Sequence, residues 1–253
     1  MIRVSIIGSG NVAFHLISAL QKAETIELVQ VCARSKQNIK SIIASEKIVS
    51  NVSDLQPVDL CIIAVSDDAI SKISDSLPFD KRIVAHTSGS IAMNDLSSKN
   101  RRAVFYPLQT FSVQKAVDFS TIPICLETET KEDYVILEKV ALAISKMTYA
   151  IDSQQRKALH VAAVFVNNFV NQLYQIGFEI CSENNIPFDI LKPLIAETAA
   201  KLETLRPLQA QTGPAKRKDD TTIASHLEFL KDENRQAIYQ LLTQSIQSYE
   251  KEL

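Results

Sequence analysis

The sequence predicts an α/β chain in two parts: a doubly wound, largely parallel sheet followed by an all-helical domain. Three observations carry this. An apolar run, Ile2 to Ile7, leads straight into Gly8-Ser9-Gly10-Asn11-Val12-Ala13 and then into the amphipathic stretch Phe14 to Leu20. Strand-like and helix-like periodicities then alternate as far as Ile151, and from Asp152 onward no strand pattern recurs. The expected domains are therefore 1–151 and 152–253.

The opening reads as strand, tight turn, helix. Gly8 lets the chain turn off the strand, Gly10 lets backbone approach a pyrophosphate, and Ala13, in the third glycine place, lets helix and strand pack closely. The helix start then offers free N–H groups and a partial positive charge to an anion, so Gly8, Ser9, Gly10, Asn11 and Val12 are expected to hold cofactor phosphates. Ile26 to Ser35 reads as a second strand. In a dinucleotide fold an acidic residue at this strand's end holds the NAD ribose, whereas an arginine accommodates the 2′-phosphate of NADP. The chain carries Arg34 followed by Ser35 there, a fork of donors matched to phosphate, and the cofactor reading is NADP. The plainer alternative is a solvated arginine at a strand end.

Lys36 to Ser45 is a short helix candidate, and Lys47 to Val52 can hold a short edge strand. Val58 to Val65 is almost continuously apolar, as in a parallel strand buried on both faces, and Ser66-Asp67-Asp68 can cap a helix over Ala69 to Leu77. Arg82 to His86 is the next strand. Ligands of open α/β sheets sit beyond the carboxyl ends of strands, so Val65, Ser66, His86, Thr87 and Ser88 are expected beside the cofactor. The small hydroxyl cluster around Gly89 suits close approach to a ligand and can equally serve as a helix cap. Arg102 to Phe105, Ile122 to Leu126 and Thr148 to Ile151 read as further strands, Pro107 to Phe111 as part of a loop, and Lys131 to Lys146 as a helix.

In the second part, Asp152 with Gln155 forms a capping-box pattern opening a helix to about Asn184. Its apolar positions, Leu159, Ala162, Phe165, Val166, Phe169, Val170, Leu173, Ile176 and Ile180, cover more than half of the circumference. Neighbours are expected on more than one side. The other face carries His160, Asn167, Asn168, Asn171 and Gln175, a row that needs partners from the protein or from a ligand. A helix over Phe188 to Leu205 follows, then a polar Gly213-Pro214 loop that could present Lys216 or Arg217 to an anionic substrate, then helices over Thr222 to Leu230 and Asn234 to Tyr249.

The 253 residues carry a formal charge of −2, with 46% hydrophobic and 22% charged residues. That is an ordinary globular profile, with no basic excess for nucleic acid and no acidic excess for disorder. Cys32, Cys61, Cys125 and Cys181 lie in apolar runs at no metal-ligand spacing, which suits reduced thiols in a reducing compartment. No stretch has the length of a membrane span. The expectation is a cytoplasmic protein with a small-molecule substrate and neither nucleic acid nor membrane as partner.

These stretches together resemble the short-chain relatives of the 6-phosphogluconate and β-hydroxyacid dehydrogenases, which include pyrroline-5-carboxylate reductase. They resemble most the bacterial proteins labelled NADP oxidoreductases. The stretches are Gly8 to Ala13, His86 to Ser90, Pro107 to Phe111, the helix around His160 and Asn168, and Thr212 through Asp219. The resemblance implies a Rossmann-type doubly wound sheet, an all-α domain like the 6-phosphogluconate dehydrogenase C-terminal domain, and a homodimer through the helices. Tyr106 stands where many relatives carry His, and Lys218 where they usually carry Gly. The β-hydroxyacid dehydrogenases also keep a Lys one helical turn before an Asn as their acid-base group, and here those places hold Ala163 and Val164.

The functional expectation is hydride transfer between NADP(H) and a small carbonyl or imine in a cleft between the domains. His160 is expected as proton donor, Asn168 and Gln109 as groups orienting the substrate oxygen, and Arg217 as the contact for an anionic group. The competing expectation is a non-catalytic NADP-binding sensor or assembly protein that lost its proton donor. A methyltransferase on the same fold is disfavoured by Arg34, since a methyl donor has no 2′-phosphate.

Overall fold

The computed structural model describes residues 1–249. By its internal contacts the chain divides into two compact units, Met1–Asn167 and Asn168–Leu253. The first is built on an eight-stranded sheet: β1 (Ile2–Ile7), β2 (Ile26–Cys32), β3 (Ile48–Val49), β4 (Leu60–Ile63), β5 (Ile83–His86), β6 (Arg101–Pro107), β7 (Ile124–Thr128) and β8 (Thr148–Ala150). The order is β3-β2-β1-β4-β5-β6-β7-β8. Pairing is parallel from β3 to β6, antiparallel between β6 and β7, and parallel again between β7 and β8. The order runs outward from β1 in both directions, so the switch point lies between β1 and β4, where the glycine turn leaves the sheet. The central strands carry aliphatic residues on both faces and are buried throughout β4 and β5, which is what near-continuous apolar runs dictate.

Helix α1 (Asn11–Leu20) buries Ala13, Leu16, Ile17 and Leu20 in the main core. Helix α2 (Ile70–Asp75) follows β4 through a 3-10 turn over Asp67–Ala69, and Ser66 stands at the cap position without capping through its side chain. Lys36 to Ser45 does not form the expected helix. It is a chain of turns, closed locally by bonds such as Lys40 N–H to Lys36 O and Ile43 N–H to Ile39 O, that drops Ile39 and Ile43 into the core. A ten-residue segment with β-branched Ile39, Ile42 and Ile43 is too short and too poor in helix formers to propagate. Helix α3 (Lys131–Leu142) is capped by Thr130, whose hydroxyl accepts from Asp133 N–H.

Helix α4 (Ser153–Ala163) opens with the expected capping box, in which Asp152 Oδ1 accepts from Gln155 N–H (2.8 Å) and Gln155 Oε1 from Asp152 N–H (3.0 Å). The helical run continues through a π-helical segment, Val164–Phe169, into α5 (Val170–Glu183). The helical unit then holds α6 (Lys192–Ala200), α7 (Pro207–Ala210), α8 (Pro214–Arg217), α9 (Asp220–Phe229) and α10 (Glu233–Ser248). The single helix expected over Phe188 to Leu205 is α6 flanked by 3-10 turns, with Pro193 tolerated in its first turn. Arg235 of α10 bridges Glu179 and Glu183 of α5, each at 2.9 Å. Of the apolar positions of the long run, Phe165, Val166 and Phe169 are exposed within the chain, as are Val161 and Phe178 beside them. No helix among the described residues is long and apolar enough to cross a membrane.

Candidate functional site

The carboxyl end of β1 opens into a cleft of about 1050 Å³. Its floor is the glycine turn, Gly8 to Val12. One wall is the end of β2, with Ala33, Arg34 and Ser35, and the other is Ala64, Val65 and Ser66 after β4 with the near face of α2. The two glycines act differently. Gly8 has φ +134, and a Cβ there would lie 2.0 Å from Ala64 O, so only glycine lets β1 turn this close to β4. At Gly10 a Cβ would meet nothing within 4 Å, because that position faces the open cleft at the start of α1. An open glycine edge below a helix start is what a pyrophosphate needs, and Arg34 is exposed on the wall formed by the end of β2. The residues thus fit a dinucleotide. The Asn11 side chain donates to Phe111 O (2.9 Å) and pins the 107–111 loop beside α1.

Lys72, Ser50 and Ser76 also line the cleft and had no signal in the sequence beyond their elements. Ala69, Lys72, Ile73 and Ser76 form one stripe of a helix, which periodicity can assign to a face but not to a ligand.

Farther along the sheet, the residues after β5 separate. Thr87 lines the cleft. His86 does not: its side chain is 0% exposed, its Nδ1 accepts from Ser88 N–H (3.1 Å), and burial, followed by the Arg156 charge, pushes its pKa down to about 4. Ser88 is buried as well, its Oγ accepting from Ser90 and Ile91 N–H at 3.0 Å. His86 Nδ1 and Ser88 Oγ thus serve the turn, because a strand end this deep leaves backbone N–H groups that only local acceptors can reach, while His86 Nε2 is buried without a partner among the described residues. Of this turn, Thr87 is the residue that lines the cleft.

Gly89 is the contact point of that turn. A Cβ on it would lie 2.6 Å from His160 Nδ1 and 3.0 Å from the Tyr106 ring. Tyr106 Oη and His160 Nδ1 are 3.1 Å apart, with the rings edge to face. The imidazole from α4 and the phenol from the end of β6 thus converge on the backbone two residues past Thr87, both half-buried. Burial pushes the Tyr106 phenol above its ordinary value. The sequence singled out His160 and left Tyr106 as a departure from a pattern; their pairing bridges 54 positions and has no local signal. Gln109 is exposed, its Oε1 accepting from Thr110 N–H (2.8 Å). Asn168 and Arg217 belong to the helical unit, on the π segment and on α8. No group of His, Cys, Asp or Glu suited to a metal ion occurs among the described residues.

Residues 122–246 match the family described as "Domain of unknown function (DUF2520)". No curated protein matches the chain in sequence. Among solved structures, a Bacteroides fragilis protein labelled an NADP oxidoreductase is 36% identical, with 98% of both chains covered and a TM-score of 0.87. The fold is shared more distantly by a 1-pyrroline-5-carboxylate reductase of Streptococcus pyogenes, 17% identical over 98% of both chains with a TM-score of 0.63. An imine reductase variant of Myxococcus stipitatus, solved with NAD+, is 14% identical, covering 99% of this chain and 94% of its own, with a TM-score of 0.63. With a Rossmann-type sheet, a glycine-floored cleft and a relative of that likeness along nearly its whole length, the chain belongs to the family of that Bacteroides fragilis protein.

Proposed function

We propose that the protein reduces a small carbonyl or imine with NADPH, with His160 as proton donor and Tyr106 as the partner that orients it. One observation carries the reading: the cleft whose floor is the glycine turn reaches Thr87, and two residues on, Gly89 is clasped by an imidazole and a phenol in contact with each other. Gly8 to Val12 would hold the pyrophosphate, and Arg34 with Ser35 the ribose phosphate. When bound, NADPH supplies the hydride. The residues here must supply the rest, which is a place for the reacting carbon and a proton for the oxygen or nitrogen that gains charge. A Tyr106 hydroxyl donating to Nδ1 leaves the imidazole proton on Nε2, the nitrogen free to serve a substrate. The half-buried pair lets that bond persist against water.

Titrations of NADPH and NADH by calorimetry test the cofactor. A single bidentate contact to phosphate is worth about 1.5–3 kcal/mol, so NADPH should bind roughly tenfold to a hundredfold more tightly, and Arg34→Asp should remove the difference. Equal affinities would refute the assignment. Activity is read as NADPH consumption with a panel of small ketones, aldehydes and cyclic imines. His160→Ala should lower turnover by about 10²–10⁴-fold while NADPH affinity stays unchanged. Tight NADPH binding with no turnover of any member would favour the non-catalytic, cofactor-sensing alternative.

A further inference from the structure

Arg156 is among the largest fully buried side chains of the sheet unit, only 1% exposed, and it lies one helical turn before His160 on the same face of α4. Its guanidinium reaches two separate places. Nη1 donates to Glu127 Oε2 on β7, and Nη2 donates to Ile91 O (2.5 Å), in the turn that follows β5. Ser153 completes the knot: its hydroxyl donates to Glu127 (2.8 Å) and accepts from Met93 N–H (3.0 Å). The same turn carries Gly89 against His160 and begins at His86, whose ring is held neutral largely by its burial.

A buried ion pair is a poor way to gain stability, since well-packed apolar residues in its place are often neutral or better. What the pair offers instead is geometry. A planar fork spans two acceptors on different elements from separate nitrogens in a fixed geometry, which an apolar side chain cannot do and the single nitrogen of a lysine does not reproduce. Arg156 Nε has no hydrogen-bond partner among the described residues, so the side chain is set by its terminal contacts to Glu127, Ile91 O and Ser153 Oγ rather than by full satisfaction.

We infer that Arg156 is a positioning residue, tying β7 and the 88–93 turn to α4 so that His160 stands over Gly89 within reach of Tyr106. The inference rests on the reading above only in giving that constellation a catalytic use. The geometry itself can be tested without turnover. The chain has four histidines, so the imidazole nitrogen signals can be resolved by NMR and that of His160 assigned with His160→Gln. In the native background Tyr106→Phe should move the His160 signals, because the phenol contacts Nδ1. In Arg156→Met, and equally in Arg156→Lys, the Tyr106→Phe shift should be lost, while NADPH affinity, set at the glycine turn, is retained. Arg156→Lys keeps a buried cation opposite Glu127 and guards against a failure to fold. With any substrate that is turned over, both variants should lose about 10²-fold in turnover, the cost of a small misplacement. A lowered melting temperature with the full Tyr106→Phe shift intact would make Arg156 a merely structural residue and overturn the inference. Failure of the native chain to bind NADPH would instead sink the cofactor reading and leave the Arg156 test standing.

Discussion

Two glycines separated by one residue do opposite work, and substitution distinguishes them. Gly8→Ala places a Cβ 2.0 Å from Ala64 O on a backbone with φ +134, so stability should fall by on the order of 3 kcal/mol or more. Gly10→Ala has no clash and an ordinary φ of −75, so the melting temperature should hold while NADPH affinity drops. A Gly10→Ala variant with unaltered affinity would place the phosphates elsewhere. His86 gives a second residue-scale expectation. Its folded pKa of about 4 lies below the ordinary 6.5, so between those values the unfolded chain binds a proton that the folded chain refuses. Stability is therefore fully present above about pH 6.5 and lost as pH falls toward 4, by about 3 kcal/mol in total. His86→Asn, which keeps an acceptor for Ser88 N–H, should flatten that part of the curve of unfolding free energy against pH. An unchanged slope would mean that His86 does not titrate in this window.

At the scale of elements, what could be read from the sequence was whatever local pattern specifies. β1, the glycine turn and α1 are written contiguously, and so are the apolar runs of β4 and β5 and the Asp152–Gln155 box that starts α4. Lys36 to Ser45 reads as a helix because Ile39 and Ile43 are spaced as on one, whereas in the structure that spacing sets two plugs of the core on a chain of turns. The site divides along the same line. Glycine floor and Arg34 wall follow from position relative to strands. His86 and Ser88 are expected beside the cofactor from their place at a strand end; in the structure both side chains are buried and accept from the protein's own N–H groups. Tyr106 with His160, and Arg156 with Glu127, join elements far apart in sequence, and pairings of that kind exist only once the sheet order is known.

At the scale of the whole molecule, the helical unit exposes large apolar side chains: Ile190 is 65% exposed and Leu194 63%, with Phe169, Phe178 and Leu241 also open. A second copy of the chain is the occupant that needs no further partner, since a two-fold interface lets one apolar patch cover its own equivalent. The expected form in solution is therefore a homodimer, and light scattering at micromolar concentration should return the mass of two 28.1 kDa chains. Ile190 and Leu194 lie one helical turn apart near the start of α6, so Ile190→Glu with Leu194→Glu should shift the population toward monomer, because charges desolvated at an interface are costly. The sheet unit keeps its own core in that variant, so NADPH should still bind. A single-chain mass for the unaltered protein would remove the dimer, and the apolar face would then require a different kind of partner.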